Sequence, residues 1–260
     1  MRGRGLFGRL LLVVLVLAAA GGGVWLLSST SAPAAGPVTT EIPALQVQPA
    51  QVQPGAVAPA SEVIPQGTAQ GKDPLVAWAD RVAKVTGVPA RALVAYGNAE
   101  LVLRSTTPSC HVSWATLAGI GRIESNHGQF GGAVLGADGR PSKPIVGVPL
   151  DGSVGVQRIG DTDRGQYDGD PTLDRAVGPM QFIPSTWAKW ASDGNGDGRG
   201  DPQQIDDAAL AAARYLCAGG RDLATASGWW AGVLSYNNSE TYGQKVFGLA
   251  DGYARDAQHA

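Results

Sequence analysis

In the stretch LAGIGRIESNHG, residues 117–128, one carboxylate, Glu124, stands in line with Leu117, Ile120 and Gly121 at spacings of seven, four and three. On a helix those positions share a face, so Glu124 is expected to point toward the apolar side. Two effects then favour its protonated form: partial desolvation, and the negative end of the helix dipole in the last turn. His127, one turn on, offsets part of this if it is charged. A carboxyl group that keeps its proton near neutral pH suits a general acid, and glycosidases use such a group to protonate a leaving oxygen. The competing reading is a Glu at a helix edge, paired with Arg122 or His127 in solvent.

A second constellation is acidic. DGNGDGRGDPQQIDD begins like an EF-hand loop, with Asp193, Asn195 and Asp197 at positions one, three and five, Gly198 at six, Arg199 at seven and Asp201 at nine. That pattern offers oxygen ligands to calcium. Position twelve, where a bidentate Glu belongs, is Gln204; Asp206 or Asp207 supplies that ligand in a longer loop, or caps the helix that follows. DTDRGQYDGD, residues 161–170, has no recognisable ligand spacing and reads as a hairpin over a cleft. Asp138, Asp151, Asp161, Asp163, Asp168, Asp170 and Asp174 are each candidates for a second catalytic carboxylate. Trp229 and Trp230 diverge on a helix, one toward a core and the other toward a sugar or a half-buried position.

The elements that must position these groups begin at Asp73. Helical segments are expected at DPLVAWADRVAKVTG, PARALVAYGNAELVLRS and SWATLAGIGRIESNHG, the first opened by Asp73 and Pro74 and stopped by Gly87. A Gly, Pro and Asp-rich region, 129–178, follows, in which PIVGVPL and GVQRIG read as strands or an irregular hairpin. PSTWAKWAS, DDAALAAARYLCAGG, RDLATASGWWAGVLSYN and SETYGQKVFGLADGYARD are again helical. The expected fold is mainly α, of the α+β class, with a loop or small β insertion.

The ends of the chain differ. Residues 1–30 place Arg2, Arg4 and Arg9 before an uncharged apolar run from Leu10 to Leu27, an export signal. Two outcomes stand open: cleavage near Ala34, or retention as a membrane anchor that is then the only link to a membrane. Residues 31–72 are rich in Pro, Ala, Gln and Val and read as a disordered, extended linker, leaving 73–258 as the globular domain. An exported chain with two cysteines, Cys110 and Cys217, is expected to form one disulfide; two buried thiols are the alternative. Without the leader's arginines the chain carries 17 basic against 22 acidic residues. No basic patch forms, which argues against nucleic acid as a partner.

GRIESNHG, AVGPMQFIPSTW, AAARYL and VLSYNNSETYG occur in that order. With them the chain resembles the lysozyme-like lytic murein transglycosylases, in particular the branch of membrane-bound lytic transglycosylase B in its exported actinobacterial form. The resemblance covers roughly residues 73–250. It implies a lysozyme-like domain, Glu124 as the single catalytic acid and base, and Ser125 positioning it or the substrate. It also implies Met180 and Gln181 lining the sugar cleft, Tyr236 and Asn237 facing the reacting sugar, and a structural calcium loop after the GPMQF block. The implied substrate is the peptidoglycan glycan strand outside the cytoplasmic membrane, cut between N-acetylmuramic acid and N-acetylglucosamine to leave 1,6-anhydro ends. A hydrolytic muramidase and a non-catalytic wall-binding protein remain the alternatives.

Overall fold

The computed structural model describes residues 47–63 and 73–260; the expected signal or anchor, 1–30, and parts of the expected linker lie outside the described residues. Local signals set the helix boundaries. In α1 (Pro74–Thr86) the Asp73 carboxylate accepts from the Leu75 N–H and Gly87 closes the helix at φ 71°. Pro89 starts α2 (Ala90–Thr106). In α3 (Trp114–Ser125) the Ser113 hydroxyl accepts from Thr116 N–H, and Asn126, in the left-handed region, ends it. After the insertion come α4 (Pro184–Trp190), α5 (Ile205–Leu216), α6 (Ala226–Tyr236) and α7 (Glu240–Asp256), the last three capped by Gln204, Thr225 and Ser239. Each such cap satisfies an otherwise orphaned backbone donor.

Helix α3 is the centre of the core. Every residue in it except Arg122 is buried, the signature of a helix enclosed on all sides, so the expected division into an apolar and a polar face does not hold. It packs chiefly on α7 and also on α2, while α2 packs on α1 and α5. Gly119 allows the approach of α7, because a β-carbon there would come within 3.0 Å of the Val246 carbonyl oxygen. Trp114, at the start of α3, meets Trp78 edge to face at 5.4 Å between ring centres.

The insertion holds a two-stranded antiparallel sheet, β1 (Val146–Pro149) and β2 (Arg175–Val177), with Val146 opposite Val177 and Pro149 opposite Arg175. PIVGVPL therefore contains a strand. GVQRIG does not; its residues make only isolated bridges, Asp151 to Arg158 and Gly160 to Leu173. Aspartates supply the missing order. Asp138, Asp151, Asp161, Asp163, Asp168 and Asp170 each accept hydrogen bonds from backbone N–H groups of their own loops, the short-range competition that makes this residue a turn builder. Cys110 and Cys217 form a disulfide across 107 residues.

Residues 47–63, expected to belong to a free spacer, instead lie against the helices. Ala58 and Val63 are buried, and Val52 and Ala56 pack on the core. Small apolar side chains with no aromatic among them cannot build a core, but they fit grooves that a core already provides. Among the described residues no helix is long and apolar enough to cross a membrane.

Candidate active site

Glu124 occupies the last turn of α3 and is 3 % exposed, which excludes the solvent-edge ion pair as its setting. The Tyr242 hydroxyl donates to Glu124 Oε1 at 2.7 Å. Tyr242 is buried in the first turn of α7, where the Ser239 hydroxyl accepts from its N–H at 3.3 Å. Arg122 turns to Asn126, its Nη1 donating to Oδ1 at 2.8 Å. His127 is buried with Nδ1 3.1 Å from the Tyr96 hydroxyl. Burial, then the Arg122 charge, pushes its pKa down to about 3. It is neutral at pH 7, so the expected offset from a charged His127 does not operate. Gly121 makes room for this arrangement: a β-carbon there would overlap the Tyr96 hydroxyl and sit 3.4 Å from Met180 Sδ.

Ser125 is fully buried; its hydroxyl donates to the Pro179 carbonyl at 2.6 Å and accepts from Gly128 N–H at 2.7 Å. It thus fastens the end of α3 to the turn 178–182 and positions that turn rather than a sugar. The turn is closed by paired bonds between Val177 and Phe182, at 2.8 and 2.9 Å. Gly178, at φ 78°, lies where a β-carbon would overlap the Pro202 carbonyl. Gln181 holds φ 48°, uncommon for a residue with a side chain, and its amide donates to the Gly178 carbonyl at 3.0 Å. Met180 departs from expectation: its side chain is wholly buried, and what it offers the site is its carbonyl, which accepts from the Tyr236 hydroxyl at 2.7 Å.

Beside this turn lies a concave pocket lined by Gln181, Phe182, Thr186, Tyr215, Ser235 and Tyr236. Its rings run edge to face, Phe182 to Tyr236 at 6.0 Å, Tyr236 to Tyr215 at 5.5 Å and Tyr215 to Trp190 at 5.8 Å. The Tyr215 hydroxyl donates to the Ser235 carbonyl at 2.6 Å. Burial of the Tyr236 hydroxyl, then the charge of Glu124, holds its pKa well above the usual range, so it remains a donor. Asn237 is buried at the corner between α6 and α7, its N–H donating to Val233 at 3.2 Å. Trp229 and Trp230 are both buried, their indole N–H groups donating to Thr116 Oγ1 at 3.0 Å and the Ala56 carbonyl at 3.1 Å; neither presents a platform to a sugar.

Of the expected calcium ligands, Asp193, Asn195, Asp197, Arg199 and Asp201 share one loop. Asp193 accepts from the N–H groups of Gly196, Asp197 and Gly198 at 2.7 to 3.1 Å. Arg199 N–H donates to Asp197 at 2.9 Å, and Asp201 pairs with Arg140 at 2.7 Å. Asp206 leaves the loop, forming an ion pair with Arg91 and accepting from Gln204 at 2.7 Å. Asp207 enters in its stead, its carboxylate accepting from Gly194, Asn195 and Asp201; burial pushes its pKa up against those bonds. Among the described residues Asp161, Asp163 and Asp174 bring carboxylate oxygens within 4.8 Å of one another; the first two lie in the stretch 161–170 expected to form a hairpin.

Sequence reasoning missed Tyr242 as the partner of Glu124. Its one trace is Ser239, whose capping position puts Tyr242 in a first helical turn. Tyr215 lay inside a quoted block, AAARYL, without a role, and Phe182 inside GPMQF likewise.

No curated protein matches the chain. The Escherichia coli lytic transglycosylase Slt35, in a complex with bulgecin A, is a solved structure to which it is similar at 15 % identity, over 72 % of this chain and 80 % of that one, with a TM-score of 0.35. Residues 164–229, from the insertion through the turn 178–182, the acidic loop and α5 into α6, match the family model described as Transglycosylase SLT domain.

Proposed function

We propose that the protein is a peptidoglycan lytic transglycosylase with Glu124 as its single general acid and base. The observation that carries this reading is a carboxyl group buried in a helix's last turn, held by the Tyr242 hydroxyl at 2.7 Å, on a helix end that Ser125 fastens to the turn 178–182, whose Met180 carbonyl in turn holds Tyr236 at the wall of an aromatic pocket. Such a pocket suits a glycan, whose rings offer apolar faces and many hydroxyls. The match of residues 164–229 to the Transglycosylase SLT domain supports the same class of substrate.

In this mechanism Glu124 donates its proton to the glycosidic oxygen between N-acetylmuramic acid and N-acetylglucosamine. The substrate's own acetamido carbonyl stabilises the anomeric carbon, so no protein nucleophile is required. Glu124, now a carboxylate held in place by Tyr242, takes the proton of the muramic acid 6-hydroxyl, which closes on the anomeric carbon to give the 1,6-anhydro end. The seven insertion aspartates considered as a second carboxylate all accept hydrogen bonds inside the insertion, Asp174 from Thr162.

The proposed setting is outside the cytoplasmic membrane, with the first thirty residues as export signal or anchor. The proposed structural cation is calcium, held by the 193–207 loop. Its donors are all oxygen, as a hard cation requires, and the set comprises Asp193, Asn195, Asp197, Asp201 and the main chain at Arg199. Mass spectrometry of the soluble fragments released from purified peptidoglycan tests the reaction. Anhydro-muropeptides from the native chain and none from Glu124→Gln are expected. Reducing-end products would instead identify a hydrolase, and no products from either chain a binding protein.

A further inference from the structure

The segment 47–63 lies on α7, which carries Tyr242, and on α6 and α2, of which α6 packs on α7 and α2 on the Glu124 helix α3. On α7, two residues after Tyr242, Gln244 takes hold of it twice: the Gln244 carbonyl accepts from Ala50 N–H at 3.2 Å, and its side-chain amide donates to the Val52 carbonyl at 2.9 Å. On α6, Trp230 donates to Ala56. At the other end, Val63 N–H donates to Glu100 Oε1 at 2.9 Å, while Glu100 Oε2 accepts from the N–H of Trp114, the first residue of α3, at 2.7 Å. Glu100 is buried and also bonded to Arg104. One carboxylate therefore ties the end of the segment to the start of the helix that bears Glu124.

The helices are shaped to receive it. A β-carbon at Gly248 of α7 would sit 3.2 Å from Ala50 Cβ, and one at Gly97 of α2 would sit 3.3 Å from Val63 Cγ2 and closer still to Leu75 and Trp78. A glycine inside a helix costs about 1 kcal/mol relative to alanine, so both positions give up helix stability where the segment, or what lies beside it, needs the space. A passive tail would need neither the glycine at 248 nor a buried carboxylate as its acceptor.

We propose that residues 47–63 are a positioning strap for the Glu124–Tyr242 pair: docked, they hold α7 and the start of α3 in the register that places the Tyr242 hydroxyl on Glu124, and undocked, they let that register relax. The inference rests on the reading of Glu124 as the acid for its consequence in turnover, but not for the coupling itself.

The test uses the full chain with three changes. Gly248→Leu puts a side chain where Ala50 docks and raises helix propensity in α7, so loss of the strap is separated from loss of the helix. Trp230→Phe removes the donor to Ala56 and keeps an aromatic ring. Ala50→Cys combined with Gly248→Cys locks the strap, both native cysteines being already bridged. Amide hydrogen exchange is expected to rise in residues 50–63 and in the first turns of α7 for Gly248→Leu and Trp230→Phe. Turnover is expected to fall about tenfold in kcat with KM changed far less. The oxidised lock, combined with Trp230→Phe, is expected to restore both. Exchange that rises in the strap alone, with α7 protected and kcat unchanged, would overturn the proposal, as would Gly248→Leu leaving the strap protected. If the native chain yields no muropeptides, the lytic reading fails while the exchange of α7 still decides whether the strap positions it.

Discussion

Tyr242 and Glu124 meet across 118 residues of sequence, and neither side chain alone explains the site. A hydroxyl donating to a carboxylate favours its ionised form, the state in which, on the mechanism proposed above, Glu124 acts as base after it has given up its proton. Hydrogen bonds to charged groups contribute about 1.5–3 kcal/mol, so Tyr242→Phe is expected to lower kcat by roughly 10- to 100-fold with a small change in KM, measured by release of soluble muropeptides. His127 makes a different prediction, for stability. Its pKa is depressed from 6.5 to about 3 in the folded chain, so the unfolded chain takes up the proton first. The stability it contributes is complete above pH 6.5 and is lost as pH falls from 6.5 toward 3, at about 1.4 kcal/mol per pH unit through most of that window. Unfolding curves between pH 7 and 4 should be shallower in their pH dependence for His127→Gln than for the native chain.

Among the elements, those with caps and stops in the sequence were legible: Asp73, Ser113 and Ser239 all sit where the helices start. Glu124 was legible because its spacing from Leu117, Ile120 and Gly121 signals burial. Tyr242 was not, since no local pattern tells a buried tyrosine with a structural partner from one with a catalytic partner. Strand β2 escaped notice because Arg-Ala-Val is three residues long and draws its ladder from β1 and Phe182. Met180 looked like a cleft residue by its place in a motif, and only the packing against Gly121 shows it facing inward. The acidic loop 193–207 carries its own prediction. Its loop fastens to α5 through Asp207 and crowds the turn at Gly178 through Pro202, so an ion bound there should stabilise both. Added calcium is expected to raise Tm and a chelator to lower it, with Asp193→Ala insensitive to either; an unchanged Tm in the native chain would remove calcium from the account.

At the scale of the molecule, the bridge from Cys110 to Cys217 encloses α3, the insertion, the turn 178–182 and α5, leaving Tyr236 and Tyr242 on the C-terminal side. This divides the backbone into places where a cut matters and places where it does not. Val154, at the exposed tip of the insertion, lies inside the ring: a protease that severs the chain there yields a nicked molecule still joined by sulfur, running as one species until a reductant is added. Cleavage between 218 and 225 lies outside the ring and releases α6 and α7 as a separate piece, with Tyr242 on one fragment and Glu124 on the other. Limited proteolysis followed by electrophoresis with and without reductant should therefore give two classes of nick, the first tolerated by activity and the second abolishing it. The covalent ring acts as a selective insurance for the half of the site that holds Glu124, and the other half is held by packing and hydrogen bonds without a second covalent tie.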